Sequence, residues 1–88
     1  MAKVLWTIDA LNDLAGIWMT AGNRAEVNQS IDAIDRELVL HPMGAGESRE
    51  DGRRVLLHSP LGVAFAPEPD GQTVWVHSVW YYSRRKKS

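Results

Sequence analysis

The segment from residue 52 to residue 82 constrains the fold most strongly, because it alternates β-prone runs with two tight turns. Pro60-Leu61-Gly62 separates the first two runs, and Pro67–Gly71 separates the second from the third. Proline presets φ in such turns, and glycine accepts conformations that other residues avoid. Turns this short make neighbouring strands antiparallel, so the segment predicts a three-stranded meander. Its predicted strands are Arg53–Ser59, a run that ends near Ala66, and Thr73–Tyr81.

The first 40 residues predict one strand followed by two helices. Lys3–Ile8 alternates its side chains between two faces, which is typical of a strand. Apolar residues then recur at helical spacing over Ala10–Ala21 and again from Asn23 to about Leu40. Asp9 and Asn23 are the predicted N-caps, because short polar side chains can accept hydrogen bonds from the first turn of a helix.

The apolar stripes of the two helices are expected to cover one face of the meander, since a sheet must bury its apolar face against another layer. Residues 42–52 contain three glycines and several charges, and they are predicted to form a loop. The chain is therefore expected to be an α+β domain, with an antiparallel helical hairpin on one face of a mostly antiparallel sheet. The predicted stripes are Leu11, Leu14 and Trp18, then Val27, Ile31, Ile34 and Leu38.

The composition is that of one small domain with an uneven distribution of charge. Four of the ten Lys and Arg residues are the consecutive residues 84–87, so the other six face 11 Asp and Glu, a net charge of −5. We expect a single domain over residues 1–83 and a frayed basic tail over residues 84–88. An acidic body is a poor general binder of nucleic acid, because phosphate contacts require clustered cations.

Several classes of protein are disfavoured by the sequence. The chain has no cysteine, hence no disulfide and no thiolate metal site, and its three histidines lack metal-ligand spacing. We expect neither a cofactor nor a metal, and no motif points to a small-molecule substrate. The N-terminus lacks the apolar core of a signal peptide, and no apolar run is long enough to cross a membrane. A cytoplasmic protein is expected.

A series of short motifs runs through nearly the whole chain in a fixed order. In that order and spacing they resemble the RelE/ParE superfamily of toxins from bacterial toxin–antitoxin modules. The resemblance implies a toxin neutralised by a cognate antitoxin that lies across the sheet and the C-terminal segment. The motifs are Asp13–Trp18, Ile31–Asp35 with Leu38 and Pro42, Gly46–Arg49, Arg53–Leu56, Pro60–Val63 and Val74–Trp80.

The resemblance implies two alternative targets. RelE-like members cut messenger RNA on the ribosome, whereas ParE-like members act on DNA gyrase. The family members that cut messenger RNA use Lys or Arg on the first two meander strands for cleavage, with an Arg and a Tyr near the C-terminus. The matching residues here would be Arg54, His58, Tyr82 and Arg84, but Leu56 and Val63 stand where further cations are expected. We therefore expect weak or no cleavage of ribosome-bound message.

A binding function is the favoured interpretation, and a family member that serves only as a protein-binding module is a further alternative. The last predicted strand is apolar on both faces, so the face away from the helices is either solvated or covered by something else, and Trp75 or Trp80 on that face would indicate a partner groove. Aromatic residues and arginine are enriched at binding hot spots. The predicted partner-binding residues are Trp80, Tyr81, Tyr82, Arg84 and Arg85. His77, within the same strand, is expected to be buried and hydrogen-bonded.

Overall fold

The structure is a computed structural model, and it describes residues 2–82. It contains two α-helices, one short 3-10 helix and five strands. Over residues 2–82, no helix combines the length and the apolar character that a membrane crossing requires. The elements are β1 (Lys3–Trp6), α1 (Ile8–Thr20), α2 (Arg24–Leu40), β2 (Glu47–Ser48), the 3-10 helix (Glu50–Gly52), β3 (Arg54–His58), β4 (Leu61–Pro67) and β5 (Thr73–Tyr81).

The five strands form one mixed sheet in the order β1-β5-β4-β3-β2. β3, β4 and β5 pair antiparallel in sequence order, and β1 lies parallel to β5 at one edge. The predicted α+β architecture is confirmed, but the sheet has five strands rather than four. The additional strand, β2, was predicted as loop. Its two residues have little β propensity, and they pair only because the chain returns beside Arg54 and Val55.

The start of α1 differs from the prediction. Thr7, not Asp9, is the N-cap, and its hydroxyl oxygen accepts a hydrogen bond from the Ala10 amide at 3.0 Å. Ile8 is therefore the first helical residue instead of the last strand residue. Thr and Asp are both good N-caps, so the sequence pattern alone did not separate them. The cap of α2 is as predicted, since the Asn23 side chain accepts from the Glu26 amide at 3.1 Å.

The core lies between the helices and one face of the sheet. The stripe of α2 is confirmed in large part, because Val27, Ile34 and Leu38 are fully buried. The predicted stripe of α1 is wrong at two positions: Leu11 is 50% exposed and Trp18 is 40% exposed. Leu14 packs against the core as predicted, together with Ala10, Ile17 and Ala21.

A β-bulge in β5 keeps the core side of the sheet apolar. Phe65 of β4 is opposite Val76, whereas the preceding Ala64 is opposite Ser78, so His77 is an additional residue with no partner. The bulge lets Val76 and Val79 both face the core although they are three residues apart. α1 is attached at this point, because the Asp13 carboxylate accepts a hydrogen bond from the Val79 amide at 3.1 Å.

Candidate functional site

The face of the sheet that points away from the helices is largely apolar. Directly opposite residues on neighbouring strands share a face, so the register assigns each side chain to one side. Leu57, Gly62 and Trp80 form one row across three strands, and Ala66, Trp75 and Leu5 form another. We call this surface the open face. Its apolar residues are Leu5, Val55, Leu57, Gly62, Ala64, Ala66, Trp75 and Trp80.

The middle of the open face is shallow because β4 contributes only small residues to it. Glycine at position 62 allows the Trp80 ring to lie this close to β4, since a Cβ there would lie 2.6 Å from Cε2 of Trp80. The indole of Trp80 therefore lies directly on the β4 backbone and remains 36% exposed. Leu57, on the other side of Gly62, is 54% exposed. The result is a flat apolar surface with an accessible tryptophan.

Polar groups border this surface. The indole N–H of Trp75 donates a hydrogen bond to the Glu68 carboxylate at 2.9 Å, which fixes the ring at the end of β4. His77 is half-buried rather than buried as predicted, because it follows Trp75 by two residues and lies with it on the open face. Burial lowers the pKa of His77, and the positive charge of Arg53 lowers it further. His77 is therefore neutral at physiological pH.

Arg54 and His58, two of the residues predicted for a nuclease site, lie on the other face of the sheet. They are opposite the buried residues Phe65 and Leu61 and point to the helix side. The Arg54 guanidinium donates hydrogen bonds to the carbonyl oxygens of Ala45 at 2.7 Å and Gly46 at 3.1 Å. Its contacts are thus with backbone at the start of β2. The positions of Arg54 and His58 are separated by four residues, roughly 13 Å along the strand.

The other nuclease candidates are at the end of the sheet or outside the described residues. The Tyr82 amide donates to the carbonyl oxygen of Pro60 at 2.8 Å, so Tyr82 lies beside the β3–β4 turn near His58. Arg84 lies outside residues 2–82. The structure thus brings Tyr82 and His58 to the same end of the sheet and places Arg54 at the opposite end of β3.

The predicted partner-binding residues are divided between the two faces. Trp80 is on the open face, whereas Tyr81 is opposite Leu61 and points to the helix side. There Tyr81 borders a small cavity with Ile17 and Thr20 at the end of α1. Arg84 and Arg85 lie outside residues 2–82. Trp80 thus lies on the apolar open face, where its neighbours come from β3 and β4.

A second exposed apolar surface lies on α1, and two of its residues, Leu11 and Trp18, were predicted to belong to the core. Ile8 is 75% exposed and Met19 is 70% exposed, in addition to the partly exposed Leu11 and Trp18. The Arg24 guanidinium lies 4.4 Å from the centre of the Trp18 ring, and its Nε donates to the Trp18 carbonyl oxygen at 2.9 Å. Apolar residues outside the core-facing stripe, Ile8, Leu11, Trp18 and Met19, were the available signal, because a helix with one buried face needs only one apolar stripe.

Comparison with known proteins identifies the fold. No protein-family model matches the sequence, and no curated protein matches it. The structure is similar to the chromosomal ParDE toxin–antitoxin system of Pseudomonas aeruginosa, with a TM-score of 0.69, 22% identity and coverage of 94% of this chain and 98% of that chain. The toxin–antitoxin complex RelBE2 of Mycobacterium tuberculosis gives a TM-score of 0.73 at 16% identity, over 91% of this chain and 96% of that chain.

A third similar structure is the YoeB/ParE toxin of Agrobacterium tumefaciens. Its TM-score is 0.68 at 18% identity, and the match covers 92% of this chain and 99% of that chain. These matches extend over almost the full length of every chain compared. The fold of the present chain is therefore that of RelE/ParE-type toxins. Among residues 2–82, no three His, Cys, Asp or Glu side chains are grouped so that they could hold a metal ion.

Proposed function

We propose that this chain, which has the fold of RelE/ParE-type toxins, is the toxin of a bacterial type II toxin–antitoxin module. It acts in the cytoplasm by binding a macromolecule, and a cognate antitoxin neutralises it. The antitoxin covers the open face and the C-terminal segment. The observation that carries this proposal is the open face itself, on which Trp80 and Leu57 are accessible beside a shallow surface of Gly and Ala residues.

The physical argument is that this domain has more apolar surface than its own layers cover. Both helices pack on the core side of the sheet. Contiguous exposed apolar surface in a monomer marks an interaction site, and an aromatic residue that lies flat is a typical hot spot. The exposed residues of α1, including Ile8 and Met19, provide a second surface for contact with a partner.

The distribution of cations favours binding over RNA cleavage. Cleavage requires clustered positive groups that hold a phosphate and stabilise its developing charge. Lys3, Arg49 and Arg53 border the open face. Arg49 lies opposite Arg53 but is paired with Glu47 at 3.2 Å, and Lys3 is three strands away from Arg53, roughly 14 Å at the usual strand spacing. Arg54 points to the opposite face and contacts backbone carbonyl groups. We therefore expect no cleavage of ribosome-bound messenger RNA by the purified protein.

The test combines growth with complex formation. Induction of this chain in bacterial cells should stop growth, and coexpression of the protein encoded by the adjacent reading frame should restore it. The two proteins should also purify as one complex. Soluble expression without any effect on growth, together with failure to form that complex, would contradict the proposed function.

A matched pair of variants connects the open face to the proposed complex. Trp80→Ala should weaken binding of the antitoxin by about 2 kcal/mol or more, because it removes a central aromatic contact. Met43→Ala is the control, since Met43 is also exposed but lies in the loop after α2. Equal affinity of both variants, measured by calorimetry, would show that the antitoxin binds elsewhere.

The contribution of the C-terminal segment can be measured separately. Exposed charge pairs contribute only about 0–1 kcal/mol each, so the basic tail matters less than the aromatic residues before it. Deletion of residues 83–88 should weaken binding modestly and reduce its dependence on salt. Tyr82→Ala should weaken binding more, at every salt concentration. If both variants bind the antitoxin as tightly as the parent protein, the C-terminal segment is not part of the proposed interface.

A further inference from the structure

The outer side of α1 carries a continuous apolar stripe. Its four residues are separated by three, four and three positions, which is the spacing of the seam between two packed helices. All four side chains are exposed, and the acidic residues of α1 fall outside the stripe. The residues of α1 that face the core lie on another side of the helix. The stripe, which we call the α1 stripe, consists of Ile8, Leu11, Ala15 and Trp18.

The α1 stripe is complementary in shape to a second copy of itself. When two α1 helices run antiparallel about a two-fold axis level with residue 13, residue 11 of one copy lies opposite residue 15 of the other. The large Leu11 side chain then meets the small Ala15. By the same symmetry, Ile8 of one copy meets the Trp18 ring of the other. Each of these contacts is made twice, because a two-fold contact uses the same surface on both copies.

The two ends of the α1 stripe carry opposite charges. The Arg24 guanidinium lies 4.4 Å from the centre of the Trp18 ring, and its Nε donates to the Trp18 carbonyl oxygen at 2.9 Å. Its positive charge is thus held at the level of residue 18. Among residues 2–82, no carboxylate lies within ion-pair distance of Arg24. Asp9 of the same chain is nine residues before Trp18, roughly 13 Å along the helix, so it cannot neutralise this charge.

We propose that the chain forms a symmetric homodimer through the α1 stripe, with Asp9 of each copy beside Arg24 of the other. The antiparallel arrangement brings residue 8 of one copy to the level of residue 18 of the other, and Asp9 with it. The helix dipoles are then also antiparallel, with the acidic first turn of each helix near a cation. A contact through one helix of 13 residues is small, so the dimer should dissociate at micromolar concentrations.

A second copy satisfies the α1 stripe better than an unrelated partner does. Another protein would have to supply its own carboxylate to Arg24, whereas a second copy supplies Asp9 by symmetry. The dimer also leaves the open face accessible, because the helices pack on the opposite side of the sheet. Since dimerisation needs only this chain, it does not rest on the proposed function.

The first test is sedimentation equilibrium of the full chain, made without any partner by cell-free synthesis, at concentrations up to about 500 µM. The parent protein should show a monomer–dimer equilibrium in the micromolar range. Ala15→Glu places a charge inside the α1 stripe and should weaken the dimer at least about tenfold, because the charge is buried without a partner. Gly16→Glu is the matched control, since Gly16 is exposed, has open space around it and lies outside the stripe. It should dimerise as the parent protein does.

The second test exchanges the charges. Arg24→Glu should weaken the dimer about threefold or more, because two like charges then meet at each end. The double variant Asp9→Arg with Arg24→Glu should recover part of that loss, since the pair forms again with its signs exchanged. Such recovery requires two copies, because the two residues are too far apart within one chain. Trp80→Ala, on the open face, should leave the dimer unchanged.

Four results would overturn the proposal. The first is a parent protein that stays monomeric at about 500 µM, well above the range expected for a contact of this size. The second is equal dimerisation of Ala15→Glu and Gly16→Glu. The third is a double charge variant that dimerises no better than Arg24→Glu. The fourth is loss of the dimer in Trp80→Ala, which would place the contact on the open face.

Discussion

The two faces of the sheet are both apolar, but they differ in how they are built. On the helix side, β4 and β5 contribute Leu61, Val63, Phe65, Val74 and Val76, all fully buried. On the open face, the same two strands contribute Gly62, Ala64, Ala66, Trp75 and Trp80. One face has bulky residues that interlock with helices, and the other has small residues beneath flat rings.

The difference indicates what each face is suited to contact. Branched and aromatic side chains of similar height interdigitate with a fixed helical layer and form a close-packed core. Small residues on a central strand leave a shallow surface on which a partner can lie close to the backbone. An apolar face is thus not enough to identify the core of a small domain. The sizes of the residues along each face separate the two roles.

The largest expected effect compares one residue from each face. Phe65→Ala should lower the free energy of unfolding by about 3–5 kcal/mol, because it leaves a cavity in a close-packed core. Trp80→Ala should lower it less, by about 1–2 kcal/mol, since the ring packs on β4 but remains 36% exposed and leaves no closed cavity. Urea denaturation of the two variants measures both values. Equal losses would show that the open face contributes to the folding core.

The next effect concerns the bulge that keeps Val76 and Val79 on the core side. Asp13→Ala removes the acceptor of the Val79 amide and should cost about 1–2 kcal/mol of stability. Asp13→Asn retains an acceptor oxygen and is the matched control, with a smaller expected loss. The measurement is again urea denaturation. If both variants have the stability of the parent protein, this hydrogen bond from α1 does not stabilise the bulge.

A smaller effect on stability is expected from a substitution at Gly62, which lies under the Trp80 ring on the open face. Gly62→Ala places a methyl group where the Trp80 ring lies, so the ring should move away from β4. The stability should change by less than about 1 kcal/mol, because an exposed ring can move and the chain loses some freedom when unfolded. The indole N–H chemical shift of Trp80 reports the movement. An unchanged shift would contradict the close contact, and Gly16→Ala, which has open space, is the control.

The smallest expected effect is the pH dependence that His77, on the open face, contributes to the free energy of unfolding. Its folded-state pKa lies below the unfolded value of 6.5, so the unfolded state binds more protons between the two values. Stability should therefore fall as pH decreases from about 6.5 towards the folded pKa. His77→Gln should reduce this decrease, measured by urea denaturation between pH 7.5 and 5.5. The same pH slope in parent and variant would exclude His77 as the cause.

Much of the fold could be predicted because it depends on local patterns. The bounds of β5, Thr73–Tyr81, and the end of α2 at Leu40 are as predicted, since turn residues and the proline after His41 act locally on the backbone. The Asn23 cap was predicted for the same reason. These features need only the chemistry of neighbouring residues.

The candidate site could be predicted only in part. An uncovered face with Trp75 or Trp80 was considered from the sequence, because β5 is apolar on both sides and a two-layer domain covers one; the register places both on that face. The opposite placement of Tyr81 and the helix-side position of Arg54 depend on register, and a shift of one residue exchanges the faces of a strand. Residue types do not specify register across strands that are far apart in sequence.

The sequence by itself determined the order of the helices and the meander strands, the turns between them and the presence of surplus apolar surface. Tertiary structure alone decided which apolar surface is covered. α1 has apolar residues on more than one side, and Ala10 rather than Leu11 faces the core because of how the helix lies on β5. β2 exists only where the chain passes β3, and the bulge at His77 aligns Val76 with Val79. Such contacts join residues distant in sequence, so local patterns do not encode them.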